Sequence, residues 1–490
     1  MTITRFFISL LLLVTILAGC ADPRHDSLRF ALASAPVTLD PRFATDATSA
    51  RINRLLYHSL VDFDASLQPV PELAAWQEIT PTHYRFTLRQ EARFHDGSML
   101  SSADVRATYA SILDPQTASP HRASIALIER IATPDEHTVD FFLAKPDPLF
   151  PGYLVIGILP EEQLVARHPF NTQPVGSGAF RFIAWPEQGR LELERQADKQ
   201  RLEFLLVKDP TVRALKLLRG EIDMLQNDMP PELVGHLAEQ GMTVLRARGS
   251  NFSYLGFNLD DPITGQLPVR QAIAHAVNRD EIIRYVFGGA ARPAGAILPP
   301  THWAGNPDLP LYEYNPDKAR TLLNSVPPER RVISYKTSSD PFRIRLATII
   351  QQQLKEVGLE VKVQSYDWGT FYGDIKRGAF QMFSLSWVGI KTPDIFRYVF
   401  HSTMLPPEGA NRGRYRSAES DTLIERAEGA ATLEERVQAY RALQAQVNAD
   451  LPYVPLWYED HVFVARPGIV DYAVTADGNY DGLLRARRGG

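Results

Sequence analysis

One thiol is available for chemistry in this chain, Cys20, the single cysteine among 490 residues. It closes an apolar run that follows Arg5 and ends in Leu17-Ala18-Gly19. As a helix, residues 6–18 reach roughly 20 Å, short of a ~30 Å hydrocarbon core. That length suits the hydrophobic region of an export signal, and the small Ala18 and Gly19 suit a peptidase's narrow pocket. An ordinary signal peptide with an incidental cysteine, or an uncleaved anchor, is the alternative. A lone thiol excludes internal disulfides and multi-thiolate metal sites. The 12 histidines show no spacing that suits a metal. No Gly-x-Ser-x-Gly elbow is present, and Gly176-Ser177-Gly178 lacks the further glycine and lysine of a phosphate loop. No catalytic residue, metal or cofactor is therefore assigned, and a paired-carboxylate hydrolase is the enzyme chemistry left open.

Side chains that could hold a solute concentrate in two stretches. Residues 383–394 combine Trp387, Gly389, Ile390 and Lys391 in a turn-like segment. Asn411-Arg412-Gly413-Arg414 is basic and contains a glycine. With Lys391, this loop could form an electropositive mouth for a carboxylate, a phosphate or an anionic glycan. The alternative is a surface loop packed on Asp421 and Glu425. Tyr366 and Trp368 read as core aromatics.

Elements that could position these residues follow from periodicity. Tyr84, Phe86 and Leu88 alternate with polar residues, as do Leu191 and Leu193, and Leu359, Val361 and Val363. Each set predicts a strand with one buried face. Ser101 opens a helix towards Ile112, and Thr432 with Glu435 forms a capping-box pattern ahead of Leu433, Val437, Tyr440, Leu443 and Val447. A helix from about 343 to 357 ends at Gly358 and feeds the 359–363 strand. A helix over 213–219 ends at Gly220 and feeds a strand at 222–225. Helix-to-strand alternation in both halves indicates two α/β lobes, more than one core being expected at this length. A net charge of −5, one unit lower without Arg5, argues against nucleic acid as a partner. No later run offers 18 apolar residues, so the body is expected outside the bilayer.

Several segments in order resemble one family, the bacterial extracellular solute-binding proteins of the peptide/nickel class, family 5. They are Leu39-Asp40-Pro41, Leu56 to Val61, Phe94-His95-Asp96-Gly97 with Ser101 to Val105, and Pro174 to Phe180. Val269 to Ile273 with Ala276 to Arg279, Tyr314 to Arg320, and Asp450 to Leu456 complete the set. The resemblance implies a two-lobed periplasmic-binding-protein-like α/β fold with an extra subdomain on lobe I and a ligand cleft between the lobes. It implies lobe I at 27–60, 166–250 and 459–490, its subdomain at 61–165, and lobe II at 251–458. Hinges are expected near 250–257 and 455–460.

The residues around Cys20 resemble the lipobox of bacterial lipoproteins. That implies a signal peptide at 1–19, a diacylated Cys20, and a tether at 20–26 holding the protein to a membrane, facing the periplasm or exterior. The family resemblance implies a monomeric receptor that captures a peptide or peptide-like small solute and delivers it to an ABC permease with its ATPase. A sensor or chaperone-type binding protein is the second reading. In relatives the first strand, here read as 31–36 with Ser34, lines the pocket, and an arginine matching Arg345 meets a ligand carboxylate. An aspartate that pairs with a peptide's amino group stands where this chain has Ile390. A free-amine peptide would then lose a charge-assisted hydrogen bond of roughly 1.5–3 kcal/mol, unless Asp394 or Asp367 replaces it.

Overall fold

The computed structural model describes residues 27–489 except 65, 66, 188 and 431, so the expected export signal, tether and Cys20 lie outside the described residues. The period-two segments become strands. His83–Leu88 buries Tyr84, Phe86 and Leu88, Arg190–Arg195 buries Leu191 and Leu193, and Glu360–Tyr366 buries Val361. Both capping boxes form, at Ser101 with Asp104 and at Thr432 with Glu435, satisfying backbone donors that a helix start leaves free. Leu433, read as part of the second helix's apolar face, is instead exposed, because it sits in the first turn before that face meets the core. The first strand runs Leu28–Leu32 rather than 31–36, which leaves Ser34 in the bend beyond it.

One mixed sheet runs through both halves. Its strands in spatial order are Glu360–Tyr366, Val332–Ser338, Met382–Trp387, Thr243–Phe257, Tyr453–Ala465, Met224–Gln226, Leu28–Leu32, Arg201–Leu206, Arg190–Arg195 and Phe180–Glu187. A short strand, Ala291–Pro293, also pairs with Tyr453–Ala465. A separate antiparallel sheet orders Ala74–Thr80, His83–Leu88, Thr138–Leu143 and Ile128–Asp135. The result is a two-lobed mixed α/β fold.

Buried side chains follow the same division. One cluster joins Leu28–Leu32 to Phe204, Phe463, Tyr472 and Tyr480, so the end of the chain returns to its beginning. A second draws only on residues 60–158, around Phe86, Phe141 and Phe150. Two more draw on residues 252–458. The long strands Thr243–Phe257 and Tyr453–Ala465 are antiparallel partners and carry the chain between the halves. Their register slips between Ala247 and Asn251, where three residues face one, a bulge that locally increases twist. Among the described residues, no helix is long and apolar enough to cross a membrane.

Gly176 and Gly178 are required by close approach to another stretch of backbone. A Cβ on Gly176 would stand 1.9 Å from the Leu56 carbonyl oxygen, and one on Gly178 2.5 Å from that of Leu55. Both glycines let this loop lie against the end of the helix Ala47–Leu56. Gly178→Ala is expected to lose about 2–3 kcal/mol in urea unfolding because backbone must move. Gly235→Ala, within the helix Pro231–Glu239 and with nothing within 4 Å, is expected to gain about 0.5–1 kcal/mol.

Candidate functional site

A cavity of about 1470 Å³ opens between the lobes, larger than the roughly 300–1,000 Å³ usual for small-molecule sites. Its wall on one side comes from the bend after the first strand, the helix Ala47–Leu56 and the turn at Asn227-Asp228. The facing wall comes from the turn after the strand Met382–Trp387, the helix Trp368–Arg377 and Arg412. The crossing strands floor it with Asn251, Ser253, Glu459 and His461. Gly389 takes φ +69°, a left-handed conformation that lets the chain turn back after Trp387.

Six of the nine residues picked out for ligand contact line this cavity: Ser34, Trp387, Gly389, Ile390, Lys391 and Arg412. Ser34 Oγ lies 3.0 Å from Thr48 Oγ1. Lys391 is not free to make an anion mouth. Its Nζ crosses the cleft to Asp477 at 3.2 Å and Asp62 at 3.7 Å. Burial pushes Asp477 up, but Lys391 and the hydroxyl of Thr475 outweigh it and bring the carboxyl down to about 2. Asp62 is also held by Arg54, whose Nη2 donates at 2.6 Å.

The other three lie outside the cavity lining. Arg345 sits on an outer helix face and pairs with Glu232 at 2.7 Å. Its neighbour Arg343 faces the cleft but is committed to Glu459, donating from Nη1 at 2.6 Å and Nη2 at 3.1 Å. Asn411 is 1% exposed and ties its own loop, donating to the carbonyls of His401 and Tyr415 and accepting from the Tyr415 amide. Arg414 turns outward to Asp260 at 3.4 Å, as Arg416 does at 2.9 Å. Asp260, rather than Asp421 and Glu425, is thus the acidic partner of this loop. Asp421 instead accepts from the Ser402 amide, and Glu425 faces His401.

Neither candidate replacement acid stands free. Asp367 is an exposed helix cap that accepts from the Thr370 amide at 3.1 Å. Asp394 lines the cavity but accepts from the Thr392 hydroxyl, and burial, with Asp147 nearby, pushes its carboxyl up to about 6. Trp368 is no core residue. It is 45% exposed, lines the cleft and stacks on Tyr372 with centroids 5.4 Å apart.

Several cleft residues went unread in the sequence. Asn53 is buried with neither Oδ1 nor Nδ2 in a hydrogen bond, and Arg51 Nε likewise lacks a partner. The only trace of them is a helix whose buried positions are unusually polar: Thr48, Ser49, Arg51 and Asn53. Asn227 and Asp228 are consecutive non-glycine residues at φ +63° and +55°, a costly turn that aims Asp228 at the cleft. Solvent-sized space reaches Asp228 through the cavity while protein surrounds it. Burial raises its carboxyl, against the pull of Arg213, Arg343 and Arg51. Among the described residues no cluster of three or more His, Cys, Asp or Glu could hold a metal ion.

The family described as "Bacterial extracellular solute-binding proteins, family 5 Middle" matches residues 68–403. The dipeptide-binding protein of Escherichia coli (strain K12) is 24% identical, over 94% of this chain and 94% of its own length. The fold superimposes on the periplasmic binding protein DppA from Helicobacter pylori in complex with peptide STSA. There the TM-score is 0.86 and identity 25%, over 95% of this chain and 98% of the other. It also matches AgaA from A. tumefacien R10 in complex with agropinic acid, at TM-score 0.84 and 24% identity, over 95% and 99% of the two chains.

His461 gives the cleft floor a pH dependence. It is fully buried, stands 3.1 Å by Nδ1 from Asn227 Nδ2, and 3.2 Å by Nε2 from the Ala476 carbonyl. A neutral ring satisfies both contacts, accepting at Nδ1 and donating at Nε2. Burial first, then the charge of Arg51, brings it down to about 4. The unfolded chain therefore takes the proton first, and stability falls as pH drops from about 6.5 to about 4, then levels. This histidine accounts for up to about 3 kcal/mol of that loss. His461→Gln, which can keep both hydrogen bonds, is expected to flatten the fall in urea midpoint over that range. His95, His121, His275 and His302, also lowered by burial, retain their share.

Proposed function

Because the chain belongs to the bacterial extracellular solute-binding proteins of family 5, we propose that it is the solute receptor of an ABC importer. It takes a peptide or peptide-like small solute into the cleft, closes over it, and hands it chemically unchanged to a permease served by an ATPase. The observation that carries this reading is the large cavity with walls from both lobes, floored by just two paired crossing strands. Family members are solute-binding proteins, and that is what the architecture suits: a pair of jaws needs few connections, each able to bend.

The lobes are taken as 27–60, 166–250 and 459–490 for the first, with 61–165 as its subdomain, and 251–458 for the second. The hinges are then the stretches 250–257 and 455–460, beside the register slip. With that division, Lys391 with Asp477 and Asp62, Lys145 with Glu428, and Arg345 with Glu232 are ion pairs between the lobes, those of Lys391 within the cleft. They favour closure; the Lys145 and Arg345 pairs are half exposed and contribute about 0–1 kcal/mol each, while the two Lys391 pairs are mostly shielded. Moving a jaw from 1:99 open-to-closed to 99:1 takes ~5.5 kcal/mol, so most of the closing energy must come from ligand.

Acylation at Cys20 is proposed to hold the mature protein, as a monomer, to a membrane, facing the periplasm or the exterior. Two acyl chains at ~0.8 kcal/mol per buried CH₂ suffice for stable anchoring. A cysteine-to-serine change at 20 that left the protein in the membrane fraction would refute this.

Native mass spectrometry of the protein from its own cells should show a co-purified solute, and small-angle scattering should show compaction when that solute is returned. An unchanged scattering profile together with turnover of the solute would replace the receptor by an enzyme. Trp387→Ala is expected to weaken the solute by about 2 kcal/mol, roughly thirtyfold, while lowering the melting temperature by no more than about 5 °C. A loss of ten degrees or more would make Trp387 a core residue. Ile390→Asp is expected to strengthen ordinary free-amine peptides in calorimetry. Tight binding of such peptides by the unchanged protein would remove the reason for that change.

A further inference from the structure

Most buried arginines of this protein serve the fold, and their hydrogen bonds show it. Arg270 donates to the carbonyls of Leu451, Thr264 and Asp450. Arg279 donates to those of Pro455, Ala274, Val277 and Tyr312. Both bind main chain on several sides and belong to loop anchorage.

Arg412 is different. It is 7% exposed, yet it lines the cleft. Its hydrogen bonds go to two hydroxyls, from Nη1 to Tyr254 at 3.3 Å and from Nη2 to Tyr372 at 3.1 Å. The guanidinium carbon lies 4.7 Å from the Trp387 ring centroid and 5.2 Å from that of Tyr372. No acidic side chain pairs with it among the described residues, whereas Lys391, Arg343 and Arg54 in the same cleft each have carboxylates. A guanidinium carries five N–H donors, so three are uncommitted. The Trp387 Nε1 beside it is buried and also lacks a hydrogen-bond partner. Holding a charge away from water without a counter-ion is unfavourable, and truncation or an anionic ligand relieves it.

We propose that Arg412 is the anchor for an anionic group of the ligand, a carboxylate or a phosphate, gripped by its free edge beside Trp387. This rests on the receptor reading above and names the class of solute. Aromatic rings at the guanidinium exclude water and strengthen a charge-assisted pair, and the planar fork matches a two-oxygen anion as an ammonium cannot. Neutral solutes leave the cation uncompensated in the closed cleft, so they are selected against.

The test uses the full mature chain and a panel of carboxylic acids, phosphate esters, amines, neutral sugars, short peptides and N-acetylated peptides with their C-terminal amides. Binding is followed by thermal shift and then calorimetry. The solutes that bind are expected to carry a carboxylate or phosphate, and the comparison of acids with phosphate esters says which. Conversion of the best ligand's anion to its amide, or Arg412→Gln in the protein, should each weaken binding by about 10- to 150-fold. Arg416→Gln, on the same loop but facing Asp260, should leave it within about twofold. The empty Arg412→Gln protein should melt at or above the parent temperature, since an uncompensated charge has gone. If neutral or cationic solutes bind best to the unchanged protein, the inference is wrong whatever the variant does, and the receptor reading stands. Anion binding that survives Arg412→Gln, or Arg412→Lys if the former does not fold, overturns it too. If nothing in the panel binds and nothing co-purifies, the receptor reading itself falls.

Discussion

The pairing of Thr243–Phe257 with Tyr453–Ala465 is the constraint on which the rest of the molecule depends. Each strand begins in one lobe and ends in the other, so the sheets of both lobes are one hydrogen-bonded surface. Residues 243–247 pair with 461–465 on one side, and 251–256 with 453–459 on the other. The interruption falls between these blocks. A continuous ladder there would make the two lobes one rigid body, and no ladder would leave them on loops. The bulge keeps the connection ordered while leaving few bonds where the proposed closure needs bending. Buried polar groups gather at the same place: Glu459 accepts from Arg343, Ser253 and Trp457, while His461 contacts Asn227. Burial works against the Glu459 charge, but Arg343 outweighs it and holds the carboxyl below its usual range.

Charge in the cleft is unevenly committed. On the side of the first strand, Arg54 is matched by Asp62, and Asp477 by Lys391 from across the cleft. Across from them, aromatic side chains replace acids: Trp387, Tyr372, Tyr398 and Tyr254 surround the guanidinium of Arg412. Arginine does not lose its proton in a folded protein, so Arg412 stays cationic at any pH at which the protein folds. A wall of rings with a permanent cation is selective by construction. It attracts anions through the cation and excludes strongly hydrated groups through the rings.

Much of the scaffold was legible in the sequence, and for local reasons. Alternation at 84–88 and 190–195 and the two capping boxes depend on neighbours within a few residues, and those neighbours are the same in any fold. Most of the site depended on remote partners. Arg343 and Arg345 are two residues apart on one helix and look alike in sequence, yet one faces Glu459 in the cleft and the other Glu232 outside it. Lys391 looked like a ligand cation until Asp477, 86 positions later in the chain, took up its charge. Asn411 read as a polar cleft residue, but its amide closes the loop on Tyr415. Trp368 read as core because aromatics after strands usually are, while here the helix cap at Asp367 turns it outward onto Tyr372. The Trp387 turn, by contrast, was recognisable because a glycine two residues after the tryptophan marks an irregular backbone.

A receptor must also be able to let go, and that bears on why the closing contacts are weak. The ion pairs between the lobes are few, and Lys145 and Arg345 keep about half of their side chains in water, so salt screens them. Only the Lys391 pairs are mostly shielded. Had these contacts been strong, the empty protein would close unaided and occupy a transporter without cargo. A cleft that retains unpaired polarity at Arg412 and Asn53 does the reverse. Closure without ligand traps those groups away from water, whereas closure with a matching solute pairs them. The energy difference between the two closed forms is then supplied by the ligand's own polar groups, which makes the same residues responsible for both selectivity and the state of the jaws.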